Sequence, residues 1–505
     1  MNRREFIAAG VAAGAAYGQT ERPSHRLPEN DVHYRRVRDY IEEVPVPEYR
    51  WASENAYEAF RDMKYGVRLH WGPYSILKLR SESWPFLTMS FEERHRYQEM
   101  YRTWSPRGFD AGEWMDLFAE CGMRMFAFTS KHHDGFSMFD TKTRVSRRAN
   151  WAAPGGPRLE DCDLRYSMLE TPFRRDVVGE LCGAARKRGL KIDLYFSHPD
   201  WYDADFRPYN CAPMQVPSSA RLDPRSYPDV AKKLGDRILT VPDPTPAEVN
   251  RMMARHRAQL SELLTNYGPI DMLCLDQWLG SSVWPQLRET ILHLRKLQPD
   301  VMLRARGIGN YGDYYTPEGF VPGSKENTEM PWFVIYPLGS SFSYESDPSR
   351  HKGSQWIVRN IIDCAAKGGN FMVGVGPDGD GQFHPTAKEQ LRDAGGWLRA
   401  NGAAIYATRE RRGDLWREGD DIRFTRTKDG KTVYAFALSW PGRKLRVTSV
   451  VPQPGSSVHL LGYAKPLAWQ VDSGTGLTID LPEDVQDESR RPCRFAWVFS
   501  IPTAT

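Results

Sequence analysis

The sequence predicts an α/β fold: a (β/α) TIM-like barrel followed by a C-terminal antiparallel β-sandwich. Two observations carry the barrel. Short, uninterrupted apolar runs alternate with helix-period segments between residues 55 and 407, the pattern of parallel strands covered on both faces by helices. Several of these runs end in His, Asp or Arg, the polar residues that such barrels gather at the C-terminal mouth of their strands. The sandwich rests on a third observation: over 408–505 the chain changes to short alternating runs separated by Asp-Gly, Pro-Gly and Gly-Ser turns, as in packed antiparallel sheets.

At the start of the chain, Arg3-Arg4 precedes a short run of small and apolar residues from Ile7 to Ala16, then Ala16-Tyr-Gly18. This predicts a twin-arginine-like signal peptide over 1–18 and export to the periplasm or the medium. Residues 19–54 are polar and proline-marked and read as a lead-in or linker. The barrel strands then follow in order. Val67-Arg-Leu69 ends in His70-Trp71-Gly72. A helix over Ala111 to Cys121, stopped by Gly122, leads to the strand Met123 to Thr129, which opens onto His132-His133-Asp134. A helix over Asp176 to Arg188, stopped by Gly189, leads to Leu190 to Phe196. Glycine one residue past a helix accommodates the left-handed turn that ends it. A helix from Ala247 to Tyr267 feeds Met272 to Leu275, which stops at Asp276. The helix Trp284 to Leu297 leads to Val301 to Arg306, and Trp356 to Lys367 leads to Asn370 to Gly376. A final helix spans Pro385 to Asn401.

The totals exclude several function classes. The formal charge of +4 is small for 505 residues, so no nucleic-acid partner is implied. No run past the signal segment has the roughly 18 continuous apolar residues of a membrane span. The seven cysteines form no CxxC pair or zinc-ligand spacing. Cys274 and Cys364 read as buried thiols, and a bridge between Cys162 and Cys211 is compatible with export. Aromatic content, 16 Trp, 23 Tyr and 22 Phe, suits carbohydrate surfaces and large cores alike.

A carboxylate at a strand end, followed by Gln277 and Trp278, makes Asp276 the candidate nucleophile. His70, His132 and His133 fall at the same mouth. Adjacent residues on a strand point to opposite faces, so His132 and His133 do not share a metal ion unless a bulge intervenes. No metal or organic cofactor is expected. Neutral imidazoles beside an indole suit sugar hydroxyls instead. A glycosidase also needs a proton-donating carboxyl, and Glu318, Glu326 and Glu329 all lie on the long loop after the Arg304/Arg306 strand.

Six segments in order, Lys64 to Ser75, Thr129 to Phe136, Asp176 to Glu180 with Arg186 to Leu190, Thr265 to Asp276, Gly312 to Glu318, and Lys367 to Tyr406, resemble glycoside hydrolase family 29, the retaining α-L-fucosidases. The resemblance implies that Asp276 is the nucleophile at the end of the fourth barrel strand. It implies that His70, His132 and His133 hold fucose hydroxyls, that Trp278 is the aromatic beside the nucleophile, and that Arg306 lies near the sugar. Glu82 with Trp84 stands for a Glu-Trp pair lining the pocket, and Tyr195 is a further contact. For the acid/base, Glu318 comes first and Glu329 second. Two departures stand out: Gln277 where the family commonly has Gly, and the loop 328–345. The expected substrate is a glycan with terminal α-L-fucose, hydrolysed by double displacement. The rival readings are action on a related sugar such as an α-L-galactoside, and a catalytically inactive carbohydrate-binding relative.

Overall fold

In a computed structural model, the protein is described over residues 27–28, 31–207, 213–215, 238–317, 321–322, 330–472 and 476–504. Seven parallel strands form the main sheet: β1 (Tyr65–Leu69), β2 (Met125–Lys131), β3 (Lys191–Ser197), β4 (Met272–Asp276), β5 (Met302–Leu303), β6 (Phe333–Pro337) and β7 (Asn370–Val375). Their order is β6-β7-β1-β2-β3-β4-β5. Between β5 and β6 the parallel pairing continues through single-residue bridges, Arg304 with Tyr314 and Tyr315 with Trp332. Two tyrosines thus stand where an eighth strand closes such a barrel. Strands β1, β2, β4 and β7 are buried along their whole length, which is why they read as continuous apolar runs.

Among the helices are α1 (Val32–Val37), α2 (Glu54–Met63), α3 (Ala111–Glu120), α4 (Val177–Lys187), α5 (Pro246–Thr265), α6 (Trp284–Leu297), α7 (Ser354–Ala366) and α8 (Pro385–Asn401). Their starts have a local cause: Asp110 caps α3, Asp176 caps α4, and Thr245 with Glu248 makes a capping box on α5. Gly122 and Gly189, the stops read from the sequence, have φ of +79° and +66°, which a side chain disfavours. On β4 the alternation divides the strand. Leu273 and Leu275 pack into the large core with the helices, each contributing about 2 kcal/mol by burial, while Cys274 and Asp276 point the other way, into the barrel.

The segment read as a linker is part of the packed molecule from Asp31 onward. Tyr34, Val37, Ile41 and Tyr49 are buried in the main core. Glu42 accepts from Trp284 Nε1 at 2.8 Å and pairs with Arg288, and the Glu43 carbonyl accepts from Asn310 Nδ2 at 2.7 Å. Asp313 ties this segment to β5. Its carboxylate accepts from Ala52 N (3.0 Å), Tyr57 OH (2.9 Å) and Leu303 N (2.7 Å), and pairs with buried Arg295. Asp313→Ala leaves that guanidinium buried without its counter-charge, so unfolding free energy should fall by about 3–5 kcal/mol, measured in denaturant.

The C-terminal region has two antiparallel sheets. One holds β8 (Arg417–Glu418), β9 (Ile422–Arg426), β10 (Thr432–Ala437), β12 (His459–Leu460) and β15 (Trp497–Pro502); the other holds β11 (Lys444–Val447), β13 (Trp469–Asp472) and β14 (Gly476–Asp480). Phe424, Val447, Leu477, Ile479 and Phe499 form a separate core between them. Among the described residues no helix is long and apolar enough to cross a membrane.

Candidate active site

Residues two apart on a strand share a face, and this rule builds the site. Arg68 and His70 lie at and just beyond the end of β1, Asp193 and Tyr195 on β3, Cys274 and Asp276 on β4, and Arg304 and Arg306 just past β5. They form two layers inside the barrel. In the lower layer Arg68 Nη2 lies 3.3 Å from Asp193 and donates to Cys274 Sγ at 3.0 Å. In the upper layer Asp276 Oδ1 accepts from Arg306 Nη1 at 2.9 Å and Arg304 Nη1 at 3.2 Å, and Oδ2 accepts from Tyr195 OH at 2.6 Å. His133 Nε2 is 3.8 Å from Oδ2. A β-bulge shifts the register of β2 against β3 between Thr129 and Lys131. Past it, the adjacent His132 and His133 both reach the site, with ring centroids 4.3 Å apart.

These residues line or back a cavity of about 510 Å³, with Arg68, His70, Glu82, Trp84, His132, Tyr195, Asp276, Arg304 and Arg306 in its walls. That volume suits a small-ligand site. Its floor is closed, since Arg68 is 0% exposed, whereas Val32 at the rim is 38% exposed. His132 Nδ1 is hydrogen-bonded to Ser83 Oγ, and the His70 ring stacks on Phe342 at 5.3 Å. Glu82 Oε1, His70 Nδ1 and both ring nitrogens of His133 are buried and make no hydrogen bond among the described residues. Buried polar atoms are rarely left so, and a hydroxyl-rich ligand would satisfy them.

Electrostatics separates the two carboxyls of the cavity. Burial opposes charge on Asp276, but Arg306, Arg304, His133 and the Tyr195 hydroxyl outweigh it and hold the carboxyl well below the usual range. Burial pushes Glu82 up to about 7; backbone N–H groups of Phe342 and Ser343 oppose the rise and Asp276 adds to it. Burial also lowers the three histidines, His133 to about 4, so they are neutral hydrogen-bonding groups near pH 7. A stability test follows from Glu82. Its folded value lies above the ordinary 4.5, so the stability linked to its proton is fully present below pH 4.5 and is lost as pH rises toward 7. Glu82→Gln should therefore match the unmutated protein near pH 4.5 and exceed it by about 3 kcal/mol above pH 7, read from unfolding curves at both pH values.

A family model described as alpha-L-fucosidase matches residues 45–403, and one described as alpha-L-fucosidase C-terminal domain matches 418–502. The chain belongs to the alpha-L-fucosidase family. Tissue alpha-L-fucosidase of Homo sapiens is 27% identical over 469 residues, 88% of each chain. Two solved structures share the fold. Alpha-L-fucosidase isoenzyme 1 from Paenibacillus thiaminolyticus has a TM-score of 0.69 at 24% identity, covering 90% of this chain and 99% of the other. A family 29 alpha-L-fucosidase from Bacteroides thetaiotaomicron, trapped as a covalent intermediate, has a TM-score of 0.69 at 21% identity, covering 92% and 100%.

Of the site residues that family resemblance singled out, the fold brings together His70, Glu82, Trp84, His132, His133, Tyr195, Asp276 and Arg306. Trp278 is placed differently. It does not line the cavity; it packs against the core, with the Arg36 guanidinium 4.7 Å from its ring centroid. Glu318, Glu326 and Glu329 lie outside the described residues, as does Cys211; the Cys162 thiol donates to the Val145 carbonyl at 3.3 Å. Gln277, where the family commonly has Gly, has φ of +66°. The strand therefore leaves Asp276 through a left-handed residue, which explains why glycine suits the position. Sequence reasoning gave no site role to Arg68, Arg304, Ser83, Phe342 or the α1 residues Val32, His33 and Arg36. Arg68 and Arg304 were within reach, each two residues before a named site residue.

Proposed function

We propose that the protein is an exported, exo-acting α-L-fucosidase that releases terminal α-L-fucose from glycans with retention of configuration. The observation that carries the reading is the ionised Asp276 carboxylate, clamped by two arginines in a cavity closed at its floor. Family membership supports the substrate, and the twin-arginine-like segment over 1–18 supports export. Asp276 attacks the anomeric carbon and forms a glycosyl-enzyme while a carboxylic acid protonates the departing oxygen; the same residue then deprotonates the incoming water. Tyr195 donates to Oδ2 and the two arginines to Oδ1, so fixed donors hold the carboxylate ionised and oriented before it attacks.

Glu318 takes the acid/base role first and Glu329 second, and Thr316 and Pro317 at the cavity wall support the former by chain proximity. A second reading gives this role to Glu82, because its site keeps it protonated near neutral pH while Asp276 stays charged, a division that suits an acid and a nucleophile. The test is hydrolysis of an aryl α-L-fucoside beside the corresponding α-L-galactoside, with Glu318→Ala, Glu329→Ala and Glu82→Ala and added azide. Faster turnover with azide in one variant identifies the acid/base. Hydrolysis of the galactoside alone would overturn the substrate assignment.

A further inference from the structure

Between β5 and β6 the barrel is closed by a segment with no strand of its own, and this segment sets a hydroxyl in the cavity wall. On one flank Ala305 N donates to the Tyr314 carbonyl at 2.9 Å. On the other, Tyr315 N donates to the Pro331 carbonyl at 3.1 Å, and the Tyr315 carbonyl accepts from Phe333 N at 3.3 Å. Backbone bonds on both sides thus fix the chain directly before Thr316. Residues two apart share a face of an extended segment. Tyr314 packs inside the barrel with Met272, Met302 and Phe333, and Thr316, one step nearer the mouth, lines the cavity. On this arc of the wall it stands between Arg304 and Arg306, which face Asp276, and the apolar Ile335 of β6. Thr316 is 4% exposed, and its Oγ1 is buried with no hydrogen bond among the described residues. Buried hydroxyls are rarely left unpaired.

We propose that Thr316 is a sugar-binding residue, its hydroxyl pairing with a ring hydroxyl of the bound fucose. The inference rests on the fucosidase reading and deepens it, adding a contact from the closing segment to those of the histidines. A threonine hydroxyl donates one hydrogen bond and accepts others, and its hydrogen rotates to suit the partner. It therefore meets a sugar hydroxyl in either sense. Because the backbone beside it is tied to both neighbouring strands, little freedom is left to lose when the sugar binds.

Four 4-nitrophenyl glycosides test it: the α-L-fucoside and its 2-deoxy, 3-deoxy and 4-deoxy analogues. For each, kcat/KM is compared between the unmutated protein, Thr316→Val, which has the same shape without the hydroxyl, and Thr316→Ser, which keeps it. Comparing proteins on one substrate cancels that substrate's intrinsic reactivity. On the fucoside, Thr316→Val should lose about tenfold, since a sugar hydroxyl is left without its partner, and Thr316→Ser should keep most of the activity. On the analogue that lacks the partner hydroxyl the loss in Thr316→Val should vanish, which also names that hydroxyl. Melting temperature supplies a readout that a structural role would move the other way. Removing a hydroxyl with no partner in the protein leaves it unchanged or raised. An unchanged kcat/KM on the fucoside in Thr316→Val, an equal loss on all four substrates, or a loss accompanied by a lower melting temperature overturns this inference alone. No turnover of any of the four by the unmutated protein overturns the fucosidase reading and this inference with it.

Discussion

Asp276→Ala should lower kcat on an aryl α-L-fucoside by about four orders of magnitude, because loss of a nucleophile removes the covalent route outright. The carboxylate also neutralises Arg304 and Arg306, so alanine leaves two guanidinium groups buried at the site and should lower stability as well. Asp276→Asn separates the two effects. The amide keeps the shape and accepts from an arginine, yet cannot attack an anomeric carbon. It should be as inactive as the alanine variant while unfolding closer to the unmutated protein and still binding fucose. Near-normal turnover by Asp276→Asn would remove this residue from the chemistry.

Arg306→Leu should have the next largest effect, a loss in kcat/KM of about a hundredfold with a changed pH profile. Burial by itself raises the Asp276 pKa, and Arg306 is the foremost group opposing it. Attack needs the ionised carboxylate, so activity is present above the folded pKa and is lost as pH falls through it. Without Arg306 that pKa rises by about 1–3 units, and the acidic limb of kcat/KM should move upward in pH. Arg304, 3.2 Å from the same oxygen, keeps the shift from being larger. Arg306→Lys should restore part of the limb position but less of the rate, because one ammonium lacks the fixed fork of a guanidinium. A uniform loss of activity at all pH values would point to sugar contact and not to charge control.

The barrel was legible wherever a strand is buried on both faces. β4 is the clearest case, four apolar residues and then Asp276, and the same grammar located His70, His132 and His133, while Tyr195 and Arg306 came from the family resemblance. What escaped has physical causes. β6 is a five-residue strand, Phe333–Pro337, half-exposed at its end and set between prolines at 331 and 337, so it read as part of a loop. Tyr314 and Tyr315 pair through single bridges, too short for any periodicity. α1 is a six-residue helix in a polar stretch; isolated helices of that length are not stable, and packing by Tyr34 and Val37 holds it instead. Trp278 follows Asp276 in sequence, but the left-handed Gln277 between them turns the chain, and the indole meets Arg36. Site residues at the strand ends were thus visible, while Arg68 and Arg304, one alternation deeper on the same face, and those contributed by a docked segment from elsewhere in the chain were not.

The most direct test of the central claim is to trap the glycosyl-enzyme. The unmutated protein would be incubated with 2-fluoro-fucosyl fluoride, digested, and its labelled peptide sequenced by mass spectrometry. The account predicts one added 2-fluorofucosyl group per chain, attached to Asp276. Attachment to a different carboxylate, or full turnover of an aryl α-L-fucoside with no covalent species formed, would contradict it.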